Sequence, residues 1–169
     1  MKVNIHRLSL SDAPEIARLI NNRKIWDNLR DFIPNPYGVA DGEFFVNLTQ
    51  KENPPQTFGI VLDETKLCGV IGLVIQQDVH RFSAEIGYWI GEEYWGKGIG
   101  TKAIHLMVDY GFNELSLNRI FSGVFEYNQP SMRILEKCGF VKEGILKKAV
   151  FKNGNFYDEH RYAILKPEF

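Results

Sequence analysis

Cysteine is nearly absent. Cys68 and Cys138 lie far apart with no C-x-x-C spacing, which argues against a disulfide framework or a structural zinc site and fits a reducing cytoplasm. Charge of one sign is missing too. Twenty Lys plus Arg meet twenty-one Asp plus Glu, a formal net charge of -1, so the broad positive footprint of a nucleic-acid binder is not there. The longest apolar stretch, Gly69 to Ile75, falls far short of the roughly 20 residues that cross a bilayer. The opening M-K-V-N-I-H-R carries no apolar run of the signal-peptide kind. The expectation is a cytoplasmic chain that engages neither membrane nor nucleic acid. Linkers, repeats and like-charge blocks are also lacking, so residues 1–169 are read as one domain. With 44% hydrophobic residues, a chain of this size buries roughly 70% of its unfolded surface and folds without staples.

What is present reads as a mixed α/β pattern. Residues 2–8 alternate loosely, as an edge strand does, and Ser11 is placed to cap a following helix with Ile16, Leu19 and Ile20 on its apolar face. Residues 23–50 read as a short helix, a loop interrupted by Pro34 and Pro36, and a second helix with Phe44, Phe45 and Leu48. Residues 57–62 and 67–75 form a hairpin pattern, and 82–90 supplies another strand, an antiparallel meander. Ile99, Ala103 and Met107, with Ile104, Val108 and Gly111 one row over, define a helix with one buried face. Residues 118–126 follow as a strand, 130–137 as a short helix, and 141–151 with 156–165 as a hairpin turning at Asn153-Gly154. The order is β, α, α, β, β, β, α, β, α, β, β.

Two segments could carry chemistry. In the first, the strand Ser83 to Ile90 runs into Trp95-Gly96-Lys97-Gly98-Ile99-Gly100-Thr101 and then a helix. Glycines let the main chain approach a ligand and turn its N–H groups inward, while the helix start offers unsatisfied donors and a positive dipole end. A pyrophosphate fits such a place. The usual nucleotide signatures are absent: there is no G-x-x-x-x-G-K-S/T and no third glycine in G-x-G-x-x-G register. Backbone geometry alone is an equally weighted explanation of this turn. The second segment is Asn128-Gln129-Pro130-Ser131 through Glu136-Lys137-Cys138-Gly139-Phe140 to Glu143-Gly144.

Together the two segments resemble the paired cofactor-binding motifs of the GNAT superfamily of N-acetyltransferases, in that family's order and spacing. The first resembles its pyrophosphate loop, usually Gln/Arg-x-x-Gly-x-Gly/Ala, with Trp95 departing at the first position. Within the family, Ala84-Glu85-Ile86-Gly87-Tyr88-Trp89 with Asn128-x-x-Ser131 is most similar to the RimJ/RimL-like branch, the ribosomal-protein N-terminal acetyltransferases. The resemblance covers nearly the whole chain. It implies a single-domain α/β fold whose mixed, mostly antiparallel sheet splays between the fourth and fifth strands, with helices on both faces and the pantetheine arm of acetyl-CoA as a pseudo-strand. It further implies backbone contacts to pantetheine at Trp89 and Ile90. Pyrophosphate contacts would fall at Gly96, Gly98, Ile99, Gly100 and Thr101, with charge from Lys97, and side-chain contacts at Asn128 and Ser131. Lys97 reads equally well as a solvated loop lysine.

Acyl transfer to an amine needs a base or water relay for the amine proton, a donor for the thioester oxyanion, and a group to stabilise the departing thiolate. The donor would be a backbone N–H near Trp89 or Ile90. Many GNAT enzymes hold the thiolate with a Tyr where this chain has Leu135, so the expectation passes to Ser131, whose alternative role is bracing its short helix. The base position that the resemblance assigns on the penultimate strand holds Val150. Glu85 is the expected substitute because it shares a strand face with Gly87 and Trp89; its alternative is a structural ion pair. Asp158, Glu159 and His160 are weaker candidates. Trp26, Arg30, Phe32, Pro34 and Tyr37 lie in the segment that walls the acceptor site in this fold.

The reading is an acetyl-CoA-dependent N-acetyltransferase working by direct transfer, with acetyl-CoA as co-substrate, no metal, and an amine acceptor; a homodimer is compatible. The alternative is a CoA-binding sensor or interaction module that lost catalysis, kept open by Leu135 and Val150, and the acyl group could exceed acetyl. A peptide α-amine or small primary amine ranks above a polyamine, because Arg23, Lys24 and Arg30 nearly balance Asp27, Asp31, Asp41 and Glu43 across residues 21–50.

Overall fold

The computed structural model describes residues 1–168. Seven strands and five helices follow the chain as β1 (Val3–Arg7), α1 (Ala13–Ile20), α2 (Arg23–Trp26), α3 (Val39–Gln50), β2 (Thr57–Leu62), β3 (Lys66–Ile75), β4 (Ser83–Ile90), α4 (Ile99–Asn113), β5 (Arg119–Phe125), α5 (Gln129–Lys137), β6 (Val141–Lys152) and β7 (Asn155–Leu165). The strand order is β1-β2-β3-β4-β5-β7-β6, so β1 lies at an edge as its loose alternation predicts. Three helices precede β2, as the residue-by-residue reading of 11–50 expects, although the condensed element order counts only two. The first begins differently from the sequence reading: Ser9, not Ser11, opens a 3-10 turn over Leu10–Asp12. The Ser9 N–H donates to Asp12 Oδ2 at 2.8 Å, while the Ser11 hydroxyl is shared with that of Ser9 at 2.7 Å. Pro14 falls in the first turn of α1, where a missing N–H costs nothing.

The chain groups into two compact units, one of Met1–Gly72 with Tyr88–Ala103, the other of Leu73–Gly87 with the chain from Ile104 onward. In the first, β1 pairs antiparallel with β2 and β2 with β3. Ile16, Ala17 and Ile20 of α1 bury against Val46 of α3 and Val61, Leu67 and Val70 of the strands, with Trp89 packed against the cluster. In the second, β5 runs antiparallel to β7 from Arg119↔Leu165 to Phe125↔Glu159, and β7 pairs in turn with β6. The β6–β7 turn has Asn153 and Gly154 both at positive φ, 49° and 80°, the two-residue hairpin that Asn-Gly signals. Gly111 seats α4 against β5, since a Cβ there would lie 2.9 Å from Ile120 Cδ1 and 3.0 Å from Leu73 Cδ1. The Tyr162 hydroxyl donates to Glu136 of α5 at 3.0 Å, and burial first and that carboxylate second push its pKa up to about 12.

The junction that matters most is β4. Its parallel pairing with β5 covers only Ser83↔Arg119, Ala84↔Ile120 and Glu85↔Phe121, although β4 continues to Ile90 and β5 to Phe125. Past the ladder, the buried Ser122 hydroxyl donates to the Ile86 carbonyl at 3.3 Å, satisfying an acceptor that would otherwise be orphaned. On the β3 side the strand stays tightly held. A Cβ on Gly69 would lie 2.2 Å from the Trp89 carbonyl oxygen and 2.9 Å from Ile90 Cα, so only glycine permits this approach. Gly69→Ala is expected to force the strands apart at a cost of about 3 kcal/mol, lowering Tm by roughly 6–12 °C for a chain of this size. Gly87→Ala, where a Cβ would meet nothing within 4 Å, should move Tm by less than about 2 °C. Thermal unfolding of the two variants side by side checks both.

Candidate active site

Backbone direction decides which groups at the end of β4 could meet a ligand. N–H and C=O of one strand residue point to the same edge, and successive residues alternate. The Ser83 carbonyl accepts from Gln76 at 2.9 Å and the Gly91 N–H donates to the Cys68 carbonyl at 2.8 Å, so odd-numbered residues turn to β3. The even-numbered ones turn away, as Ile86 does. Of the two residues that resemblance assigned to pantetheine, Ile90 therefore directs its backbone groups away from β3. Trp89 does not: its carbonyl abuts Gly69, and its indole packs in the first unit's core. Tyr88, which the sequence reading passed over, shares the orientation of Ile90, and only knowledge of the partner strand could have revealed it.

The glycine turn lies in the same unit. Gly96 and Gly98 both sit at φ +73° with nothing within 4 Å of either Cβ direction. Gly96, Lys97 and Gly98 are exposed, whereas Ile99 and Gly100 are buried at the start of α4. Two left-handed glycines thus flank a single lysine just before a helix start, where unsatisfied N–H groups and the helix dipole favour an anion. The Lys97 ammonium donates to the Glu93 carbonyl at 2.8 Å and stands 5.8 Å from the Tyr94 ring centroid. It is tethered to the turn while remaining exposed to solvent. Trp95 donates its indole N–H to the Ile90 carbonyl at 2.7 Å, a link that no local residue pattern marks.

The second unit holds the other candidates. Asn128 caps α5, its Oδ1 accepting from the Ser131 N–H at 3.3 Å. The cap orients the first turn of α5 through the Asn128 side-chain oxygen. Ser131 sits half-buried in that turn, and Leu135, one turn on, is fully buried, which removes it from any chemistry. Glu85 is half-buried opposite Phe121. It borders the open space at Gly87.

Two of the weaker bases, Asp158 and Glu159, are engaged in structural contacts. Asp158 accepts from the Lys148 N–H at 2.9 Å and the Lys147 ammonium at 3.2 Å, holding together the irregular stretch of β6 between Leu146 and Val150, where Lys148 has φ +54°. Those two bonds, the backbone one foremost, hold its pKa below the usual aspartate value. Glu159 pairs with Arg161 at 3.0 Å and fills the space over Gly123. His160 lies on β7 opposite Val124 and Ile145, its Nδ1 buried without a partner. In the expected acceptor wall, the Trp26 indole N–H donates to the Ile33 carbonyl at 3.0 Å and its ring carries the Arg23 guanidinium at 5.1 Å. Tyr37 is buried in the core, whereas Phe32 is 80% exposed.

These features have close counterparts. Residues 2–141 match the model of the acetyltransferase (GNAT) domain. The chain belongs to the GNAT acetyltransferase family. It is 39% identical over 171 residues to YdaF of Bacillus subtilis, whose name assigns it provisionally to the ribosomal N-acetyltransferases, covering 99% of this chain and 93% of that one. Spermidine N-acetyltransferase of Vibrio cholerae, solved with CoA and spermine, superposes with a TM-score of 0.82 at 31% identity, over 96% of this chain and 95% of that one. RimJ of Mycobacterium smegmatis, solved with CoA-disulfide, gives 0.85 at 25% identity, over 96% and 81%. This GNAT chain is thus an acetyl-CoA-dependent acyltransferase acting on an amine, and the RimJ/RimL-like resemblance agrees with these neighbours.

Asp158 yields a test. A carboxyl whose folded pKa is depressed stabilises above its unfolded pKa, near 3.9, and the contribution disappears as pH falls through the folded value. Asp158→Asn should therefore lower Tm at pH 7, and the gap to wild type should close as pH drops below about 4. Its kcat should stay within about twofold of wild type; a loss of tenfold or more, the general-base range, would return Asp158 to candidacy as the base. Thermal melts across pH with steady-state rates at pH 7 provide the readout.

Proposed function

We propose that this enzyme, as one catalytic domain, transfers the acetyl group of acetyl-CoA directly to the α-amine of a peptide or to a small primary amine. The observation that carries the reading is the turn at Gly96–Gly98, two left-handed glycines with open space around them at the start of α4. In this reading the main-chain donors of Gly96, Gly98, Ile99, Gly100 and Thr101 take the pyrophosphate, and Lys97 adds charge. Ile90 N–H serves the thioester carbonyl, and the Asn128 amide contacts the cofactor. Ser131 hydrogen-bonds the sulfur as it leaves, and Glu85 removes the amine proton directly or through water. The enzyme works in the cytoplasm as a monomer or homodimer.

Two arguments favour an α-amine. Its unperturbed pKa of about 7.7–8.0 lies well below the 10.4 of a lysine-type amine, so a weak base or water relay suffices where Val150 replaces a carboxylate. A polyamine would want unpaired acids. In the first unit Asp27 pairs with Arg23 at 2.7 Å and Asp41 accepts from the Gly38 N–H at 2.7 Å. Glu92 is bound by Lys24, and Glu93 by Arg18 at 2.7 Å, so these four carboxylates are already engaged. That spermine occupies a relative at 31% identity makes the polyamine the competing reading.

Gly98→Asp places a side chain in strained backbone and a negative charge beside pyrophosphate. It should weaken CoA binding by a hundredfold or more, roughly 2.7 kcal/mol; a folded variant with unchanged calorimetric affinity refutes the loop assignment. For the acceptor, spermidine competes with short peptides of varied N-terminal residue. A peptide is expected to give the higher kcat/KM, and a spermidine value well above every peptide overturns the ranking. CoA binding without turnover across the whole panel would favour a cofactor sensor instead. With the best acceptor, Glu85→Gln and Ser131→Ala should slow turnover about tenfold or more while CoA affinity changes little. Wild-type rates would remove them from those roles.

A further inference from the structure

Trp95 stands 44% exposed, so burial does not explain an indole there. What its ring does is make one bond, from Nε1 to the Ile90 carbonyl at 2.7 Å. The peptide group joining Ile90 to Gly91 is thereby held at both ends, because its N–H, that of Gly91, donates to the Cys68 carbonyl at 2.8 Å on β3. A peptide plane tied at its oxygen and its nitrogen cannot rock, and this plane fixes the direction in which β4 ends. Trp95 itself is extended, at φ -66° and ψ 155°, and the next residue, Gly96, turns left-handed at φ +73°. One side chain therefore couples the strand end to the glycine turn.

The bond has an electrostatic consequence as well. Ile90 turns both its N–H and its C=O away from β3. An open carbonyl lone pair beside a developing oxyanion would oppose it, whereas a donor stabilises it. With the carbonyl engaged by the indole, the group left to act at the strand end is the Ile90 N–H.

We propose that Trp95 is a positioning residue for acyl transfer. It touches neither acyl group nor amine; by engaging the Ile90 carbonyl and tying the peptide plane that follows Ile90, it keeps that lone pair away from the thioester oxygen and steadies the Cα beside the Ile90 N–H, which receives that oxygen as negative charge develops there. This rests on the reading of the Gly96–Thr101 turn as the pyrophosphate site. The effect belongs to the transition state more than to ground-state binding, so it should appear in kcat rather than in cofactor affinity.

The test removes the donor and keeps the shape. In one variant the Trp95 indole is replaced by benzothiophene through β-(3-benzothienyl)alanine, which puts sulfur where the N–H was; Trp95→Phe is the second variant. Calorimetric CoA affinity, and kcat and KM for acetyl-CoA and for the best amine of the acceptor panel, are measured on the full chain. Both variants are expected to keep CoA affinity within about threefold and acceptor KM within about twofold, with kcat reduced tenfold or more, a barrier increase of about 1.4 kcal/mol. Wild-type kcat in the benzothiophene variant overturns the proposal. So does a fall in CoA affinity at unchanged kcat, which would make the indole a binding group, and so does failure of both variants to fold, which would make it structural. Should wild-type protein itself fail to bind CoA, the reading of the turn fails instead, and the two failures are told apart by that one titration.

Discussion

The last residues of β4 lie beyond the end of the β5 ladder and keep a neighbouring strand along one edge only, and the proposed chemistry of the chain depends on that constraint. The ladder to β5 ends at Glu85↔Phe121, while Gly69 lets β3 approach the Trp89 carbonyl closely enough to keep the other edge locked. Strand alternation then assigns opposite duties to neighbours. Trp89 gives its backbone to β3 and its ring to the core; Ile90, one residue on, gives its backbone groups to whatever lies beyond the ladder. A splayed pair of strands would ordinarily leave buried polar groups unsatisfied, and two side chains limit that cost. Ser122 takes the Ile86 carbonyl and Trp95 takes that of Ile90.

The same economy governs charge. The glycine turn presents main-chain donors at the start of a helix without needing an arginine, so an anion can be held by a chain whose net charge is -1. Around the first unit, acids are paired with neighbouring bases or with backbone N–H groups. Asp158 is spent on an irregular strand. Glu85 shares a strand face with Gly87, where a Cβ would meet nothing within 4 Å.

Much of this was legible in the residues. Asn153-Gly154 announced its hairpin, the glycines at 96 and 98 announced a turn before a helix, and Leu135 and Val150 announced that two familiar side chains were replaced. What was not legible depended on partners. Alternation reveals which side chains share a face, but the edge to which a backbone N–H points follows from the strand that pairs with it, so Trp89 and Ile90 looked equivalent. Asn128 looked like a ligand contact, and its carbonyl oxygen is a helix cap; both roles favour the same residue type. Ser11 looked like a cap, but it lies inside a 3-10 turn opened by Ser9, and that turn moves the cap of α1 one residue on, to Asp12. Trp95 looked like a departure from a motif, and its bond reaches back five residues to a carbonyl that no local pattern marks.

In the proposed function, main-chain N–H groups of the glycine turn hold the pyrophosphate. Glycine-selective 15N labelling reports on it directly, since fifteen glycines are spread along the chain and three of them occupy the turn. On saturation with acetyl-CoA, the amides of Gly96, Gly98 and Gly100 should shift downfield, and adenosine 3′,5′-bisphosphate, carrying no pyrophosphate, should fail to reproduce the pattern. Saturating binding that leaves the three turn amides unmoved would contradict the account.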